Sequence, residues 1–331
     1  MHNDRLEYRL IVRAAQLYYH NEERLEQREI AKKLKISPSK VSRLLKQADE
    51  SGIVRIHVET SRETKLEYEI IQRFNLTDAR VIVTDEDIDL KAEIGKAAAK
   101  YFEQTVSEGM RIGIGGGQTL YHMLEFLPKK QRKIEIYPLF AGRKSPLVDF
   151  IDPNVLVALL WQKCAHAAFA YTLDIPPYEG TGAEVEKEKE VFLKRSLLDQ
   201  VYQRMQSLDI GIASIGFVAS DSLLGRFSEQ IGSSLADLQK RGVVGDISLS
   251  IVYDSNGKEV ECLVSQAAVG LRLQKLKEMA NHPYKRLIAV AGGKPKRQAI
   301  YIALKSGFVD TIITDHNTAE ALLELSEGVH N

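Results

Sequence analysis

The stretch GIGGGQTLYHMLEFL, Gly113 to Leu127, decides how this chain is read. Four glycines in five positions close the short apolar run Met110–Ile114 and lead straight into an amphipathic pattern. That is the outline of a strand, a tight loop and a helix N-terminus, the arrangement with which α/β proteins hold a phosphate. Two nucleotide readings fail on spacing. A G-x-G-x-x-G fingerprint needs glycine at its sixth position, where Gln118 stands counting from Gly113 and Leu120 counting from Gly115. Glu135 lies at the distance of a ribose-binding acid but falls inside the strand-like KIEIYP. A G-x-x-x-x-G-K-[ST] loop is absent both here and at AGGKPK. A ligandless turn and a loop for some other phosphate-bearing ligand remain.

Outward from this stretch the pattern alternates. ARVIVT is strand-like, LKAEIGKAAAKYFEQTV helical, and KIEIYPL again a strand. EKEKEVFLKRSLLDQVYQRM reads as a helix, LDIGIASIG as a buried strand ending in Gly216, and ISLSIVYDSNGKEVEC as a hairpin turning at Asn256-Gly257. The C-terminal part runs strand (KRLIAVAGG), helix (KPKRQAIYIALKSG), strand (VDTIITD) and helix (NTAEALLEL). Such alternation predicts a doubly wound, mainly parallel α/β domain with helices on both faces. Ligands in such sheets sit at the carboxyl ends of the strands. Three strand ends carry glycine: Gly115, Gly116 and Gly117 followed by Gln118 and Thr119; Gly216; and Gly292, Gly293 and Lys294, with Lys296 just beyond. Backbone amides beside lysine make a phosphate-sized anion site. GVVGDIS adds Gly245 and Asp246, a carboxylate suited to accept hydrogen bonds from sugar hydroxyls.

The first sixty residues read differently. Leu6, Leu10, Ala14 and Leu17 mark one face of a helix. Ile30, Ala31 and Leu34 face a second helix inward, KIS turns the chain, and Ser37 caps a third helix that has Pro38 at its first position. Val41, Leu44 and Leu45 point that helix inward and leave Ser39, Lys40, Ser42, Arg43 and Lys46 outward. SGIVRIHVET follows as a wing strand. This is a winged helix-turn-helix, with Lys35 where many such turns carry glycine. The alternative is a small helical bundle for protein contacts. From Arg24 to His57, nine Lys and Arg stand against four Asp and Glu. That surplus favours double-stranded DNA, with Ser39, Lys40, Ser42 and Arg43 at base edges and Lys33 and Lys46 at phosphates. RETKLEYEIIQRFN, Arg62 to Asn75, reads as a linker helix whose Leu66, Ile70, Ile71 and Phe74 pack on some surface, a partner subunit among the candidates. The expected domains are 1–60, a linker over 61–76, and an effector and oligomerisation domain over 77–331.

The whole-chain totals agree without adding direction. In 331 residues, Lys+Arg and Asp+Glu number 45 each, so the basic surface shows only locally. Cys164 and Cys262 stand apart and read as buried reduced thiols. The charged start MHNDRLEYRL has no apolar signal core, and Asn154–Tyr171 is interrupted by Lys163 and His166. A cytoplasmic protein is expected. The eight histidines show no metal spacing, and no metal or cofactor is expected.

With both halves in view, the chain resembles the sorbitol-operon regulator (SorC) family of bacterial transcription regulators. REIAKKLKISPSKVSRLLKQADESGIVRIHV is similar to that family's helix-turn-helix, and GIGGGQTLYHML to its first sugar-phosphate loop. GVVGDIS…YDSNG resembles its central segment, and VAGGKPKRQAIYIALKSGFVDTIITDHNTAEALLEL its C-terminal signature. The resemblance implies a non-enzymatic effector domain related to ribose-5-phosphate isomerase and glucosamine-6-phosphate deaminase. It also implies a sugar or phosphosugar effector that changes DNA affinity, and dimers or tetramers. Carried onto this chain, the matching positions are Gly115 to Thr119, Gly142 and Arg143 in FAGRK, Arg226, Asp246, and Gly293, Lys294 and Lys296. Gly116 and Gln118 depart from the Trp and Arg frequent in that family. The competing expectation is a sugar-phosphate isomerase or deaminase with a helical arm. Asp246 and Lys294 could supply part of its proton-transfer machinery, but no second acid completes it in a strand-end glycine loop.

Overall fold

The computed structural model describes residues 2–19, 25–54, 62–84, 89–141, 151–173, 191, 196–266 and 268–328. The chain forms two compact units, Met1–Thr60 and Ser61–Asn331. In the first, helices His2–Tyr19, Gln27–Leu34 and Pro38–Glu50 share a core of Ala14, Leu17, Ile30, Val41, Leu44 and Leu45. The expected wing falls largely on 55–60, outside the described residues.

The second unit is built on a seven-stranded, wholly parallel sheet. Its strands are β1 (Asp78–Ile82), β2 (Arg111–Ile114), β3 (Glu135–Pro138), β4 (Phe169–Ala170), β5 (Ile210–Ala213), β9 (Arg286–Val290) and β10 (Thr311–Asp315), in the order β1-β10-β9-β5-β2-β3-β4. The remaining strands, β6 (Ile215–Phe217), β7 (Val243–Ile247) and β8 (Ile251–Asp254), form a separate antiparallel sheet. Helices cover both faces of the large sheet. Leu90–Thr105, Gln118–Phe126 and Pro153–Lys163 bury Ile94, Phe102, Leu120, Leu124 and Leu156 on one side. Leu273–Ala280, Arg297–Lys305 and His316–Glu327 bury Leu276, Ile300 and Leu322 on the other. Strands covered on both faces are apolar where they are buried, as IGI and LIAV are.

Three expectations change in detail. The apolar run DIGIASIGF is not one strand: it breaks at Ser214, and its two pieces serve different sheets. The turn at Asn256-Gly257 is present with Gly257 at φ +69°, but its return arm is a single bridge from Glu259 to Tyr253, and β8 takes β7 as its neighbour. Helix Arg62–Phe74 buries Leu66 and Ile70 in its own unit's core, and Glu67 accepts the Val81 amide of β1 at 2.9 Å. The surface those apolar positions meet is therefore the chain's own. Both cysteines are buried and unpaired, and no helix among the described residues is long and apolar enough to cross a membrane.

Candidate functional site

Strand order reverses between β2 and β5: the chain winds outward through β3 and β4, then returns to β5 and winds the other way through β9 and β10. A reversal splays the loops at the carboxyl ends apart and opens a crevice. A cavity of about 280 Å³ lies at this point. One wall is the loop after β2 and the first turn of helix Gln118–Phe126: Gly116, Gly117, Gln118 and Thr119. Gly117 sits at φ +121°, a backbone region that L side chains rarely adopt, so glycine is required for the turn into the helix. Opposite lie Ser214, Gly216 and Phe217 at and beyond the break between sheets, Asp246 of β7 with Ser248 and Leu249 just after it, and Arg226 of helix Leu223–Gln230. Ser214 ties the walls together: its hydroxyl donates to Gly116 O at 2.7 Å, and its amide donates to Ser248 Oγ at 3.1 Å.

Asp246 is the electrostatic centre. It is 1% exposed, and its Oδ1 accepts the Leu249 amide at 2.6 Å while its Oδ2 has no hydrogen-bond partner. Burial pushes its carboxyl up to about 6, against the Leu249 hydrogen bond and the attraction of Lys296. Gly216 makes the space for it, since a Cβ there would meet Asp246 Oδ2 at 2.0 Å. Lys296 is half-buried, and desolvation holds its ammonium down to about 8 despite Asp246. Two desolvated opposite charges and an unused carboxylate oxygen suit a ligand that carries both hydroxyls and negative charge.

Of the residues expected at the effector site, Gly116 to Thr119, Gly216, Arg226, Asp246 and Lys296 line this cavity together. Gly115 lies behind the wall, packed against Ser248. Lys294 is exposed and absent from the lining; the turn Lys294–Lys296 puts the second lysine, not the first, into the cavity. Gly293 is also outside the lining, and its amide donates to Asp315 Oδ2 and Thr318 Oγ1, both at 2.9 Å, anchoring that turn. Gly142 and Arg143 lie outside the described residues. Glu135 opens β3 and engages Arg111, Arg204 and Tyr137 at the amino ends of the strands, as a structural residue. Sequence reasoning missed Lys91, Ser214, Ser248 and the exposed carboxylate of Asp221, all in the lining. Serines at ends of apolar strand runs were a usable signal for two of them.

In the first unit, the Ser37 hydroxyl accepts the Lys40 amide at 3.2 Å and pairs with Ser39 Oγ at 3.1 Å, so Ser37 acts as the cap of helix Pro38–Glu50. That helix buries Val41, Leu44, Leu45 and Ala48 and leaves Ser39, Ser42, Arg43 and Lys46 exposed and Lys40 half-buried. Lys33 is exposed on the preceding helix. Lys46 stands 3.6 Å from Glu50, an exposed pair of little energetic weight that a phosphate can displace.

Known proteins match both units. Residues 58–324 match the family described as "Putative sugar-binding domain", and residues 18–55 match the winged helix-turn-helix DNA-binding family. The chain is 29% identical to the deoxyribonucleoside regulator of Bacillus subtilis over 97% of its own length and 99% of that protein. It is 28% identical to the transcriptional regulator LsrR of Escherichia coli K12, over 95% and 94%. The full-length sorbitol operon regulator SorC of Klebsiella pneumoniae superposes with a TM-score of 0.67 at 26% identity, over 96% of this chain and 98% of that one. These relatives are named as regulators, not enzymes.

Proposed function

The chain belongs to the SorC family of transcriptional regulators that carry the sugar-binding domain, and we propose that the cavity between the β2 and β5 loops is where its effector binds. It is a DNA-binding transcriptional regulator under the control of a sugar effector. In this reading residues 1–60 bind operator DNA, 61–76 form the linker helix, and 77–331 bind effector and oligomerise. Ser39, Lys40, Ser42 and Arg43 read base edges from the exposed face of their helix, Lys33 and Lys46 hold phosphates, and Ser37 fixes the helix start. Gly116 to Thr119, with Arg226 and Lys296, take the anionic end of a sugar phosphate, while Asp246, given room by Gly216, accepts from its hydroxyls. Gly115, Gly293 and Lys294 support the loops. The protein works in the cytoplasm as a homo-oligomer, dimer or tetramer, on genes of carbohydrate use.

The observation that carries this reading is the buried Asp246 carboxylate facing the cavity with an unsatisfied oxygen. A group left in that condition costs about 1–3 kcal/mol, a cost that a hydroxyl-bearing ligand removes. The test is a melting titration of the full chain with paired free and phosphorylated pentoses and hexoses, followed by anisotropy on a duplex selected by the chain itself. A true effector at a hundredfold its Kd adds about 2.7 kcal/mol of stability. It also shifts DNA affinity roughly five- to 150-fold. Stabilisation with unchanged DNA affinity would refute the regulatory role of the cavity.

A further inference from the structure

Lys91 lies in the first turn of helix Leu90–Thr105, the helix that follows β1 at the far edge of the sheet. Its Nζ donates to Oε1 of Gln118, and both residues line the cavity. Gln118 opens helix Gln118–Phe126 and brings no charge of its own to the anion-attracting first turn. Its side chain instead holds an ammonium group supplied by a different helix. Lys296 reaches the same cavity from the turn after β9. The charge on Lys91 acts with burial to push Lys296 down, so the two ammonium groups are close enough to repel. The other charges of the lining are Arg226, the exposed Asp221 and one buried carboxylate, Asp246, with one oxygen engaged by Leu249 and the other unpartnered. Two converging cations at a helix N-terminus are relieved by a ligand group that carries two negative charges.

We infer that Lys91 is a specificity-determining residue of the effector site: with Lys296 and the N-terminus of helix Gln118–Phe126 it grips a phosphoryl dianion, selecting a phosphorylated sugar over the free one. The inference rests on the effector reading of the cavity and adds to it one residue, Lys91, and the preference that residue confers. Lys91 is exposed in the free protein, so its charge is well screened and its contribution is a moderate factor, not a large one.

Calorimetry on the full chain tests it with ribose 5-phosphate, glucose 6-phosphate, the corresponding free sugars and inorganic phosphate. For the phosphate ester that binds tightest, Lys91→Ala weakens binding roughly tenfold, and Lys91→Arg restores most of it. Affinity for the free sugar stays within about twofold in both variants, because its hydroxyls are met by Asp246. Undiminished ester binding by Lys91→Ala, beside a clear loss in Lys296→Ala, would overturn the role of Lys91 and leave the effector site standing. An ester and its free sugar binding the wild-type chain equally well would overturn the dianion grip. Binding of no probe up to millimolar concentration, inorganic phosphate included, would overturn the inference and the effector reading together.

Discussion

Replacing Asp246 with asparagine should stabilise the protein while abolishing its response to effector. The folded chain holds this carboxyl at about 6 where the ordinary value is 3.8. Between those two values the folded state keeps a proton that the unfolded state has released. Stability therefore falls as pH climbs through that window, and the whole penalty is present above about pH 6. The displacement corresponds to a ceiling of about 3 kcal/mol. The asparagine side chain would keep an oxygen for the Leu249 amide but would bury an amide N–H₂ in the cavity wall, while the attraction of Lys296 is already contained in the displacement. A net gain of about 1–2 kcal/mol at pH 7.5 remains after that loss. In a unit this size that is a rise of roughly 2–4 °C in the melting transition. Asp310, also buried and pushed up to about 6, titrates in the same window, so the quantity to follow is the difference between wild type and Asp246→Asn from pH 4 to 7.5. That difference, variant minus wild type, should be negative at the acid end, where only that loss remains, and should rise by up to about 3 kcal/mol between about pH 4 and 6. A gain that is absent, or equal at both ends of the range, would refute the claim that Asp246 is ionised at a cost in the free protein.

Gly216→Ala would place a Cβ 2.0 Å from Asp246 Oδ2 and 2.7 Å from its Cγ, and the carboxyl cannot swing away without losing Leu249. Urea unfolding should show about 1–3 kcal/mol of destabilisation, and effector titration should show no response. Lys35 ends helix Gln27–Leu34 at φ 53°, in the left-handed region, so Lys35→Gly should raise the stability of the DNA-binding unit by about 0.5–1 kcal/mol in thermal melts. Arg43→Ala should lower affinity for a selected duplex far more than for random DNA. Lys46→Ala should weaken both alike and reduce the salt slope by about one. Equal losses on both duplexes for Arg43→Ala would place that side chain on the backbone instead.

The fold was legible where burial leaves no choice. Strands of a parallel sheet covered on both faces are mostly apolar, so IGI, LIAVA and the Ile312-Ile313 pair stand out, and the glycine-rich exits betray the carboxyl ends. What stayed hidden were places where two structures demand the same residues. Ile212 to Phe217 are apolar whether they form one strand or two, and only Ser214 marks the point where the chain changes sheets. Lys294 and Lys296 are indistinguishable by composition; a three-residue 3₁₀ turn decides which one faces the cavity. Lys91 was invisible for a different reason. In LKAEIGKAAAK it reads as one of several lysines on a solvated helix face, and it meets Gln118 only because the sheet order carries that helix back beside the next one.

The costly features of the effector unit gather at one place. Asp246 and Lys296 are desolvated, and directly after Asp246 the chain passes through two successive non-glycine residues in the left-handed region, Ser248 at φ 48° and Leu249 at φ 56°. Each such backbone position costs about 1–3 kcal/mol and persists only where the surroundings impose it. Here the Ser214 amide bound to Ser248 Oγ and the Leu249 amide bound to Asp246 impose it, and both link the cavity wall to the junction between the two sheets. A ligand that satisfies Asp246 and the lysines therefore acts on the same bonds that hold this junction. The energy it releases is available where one sheet meets the other, which is what a regulator needs if binding a small molecule is to favour one arrangement of its effector unit over another.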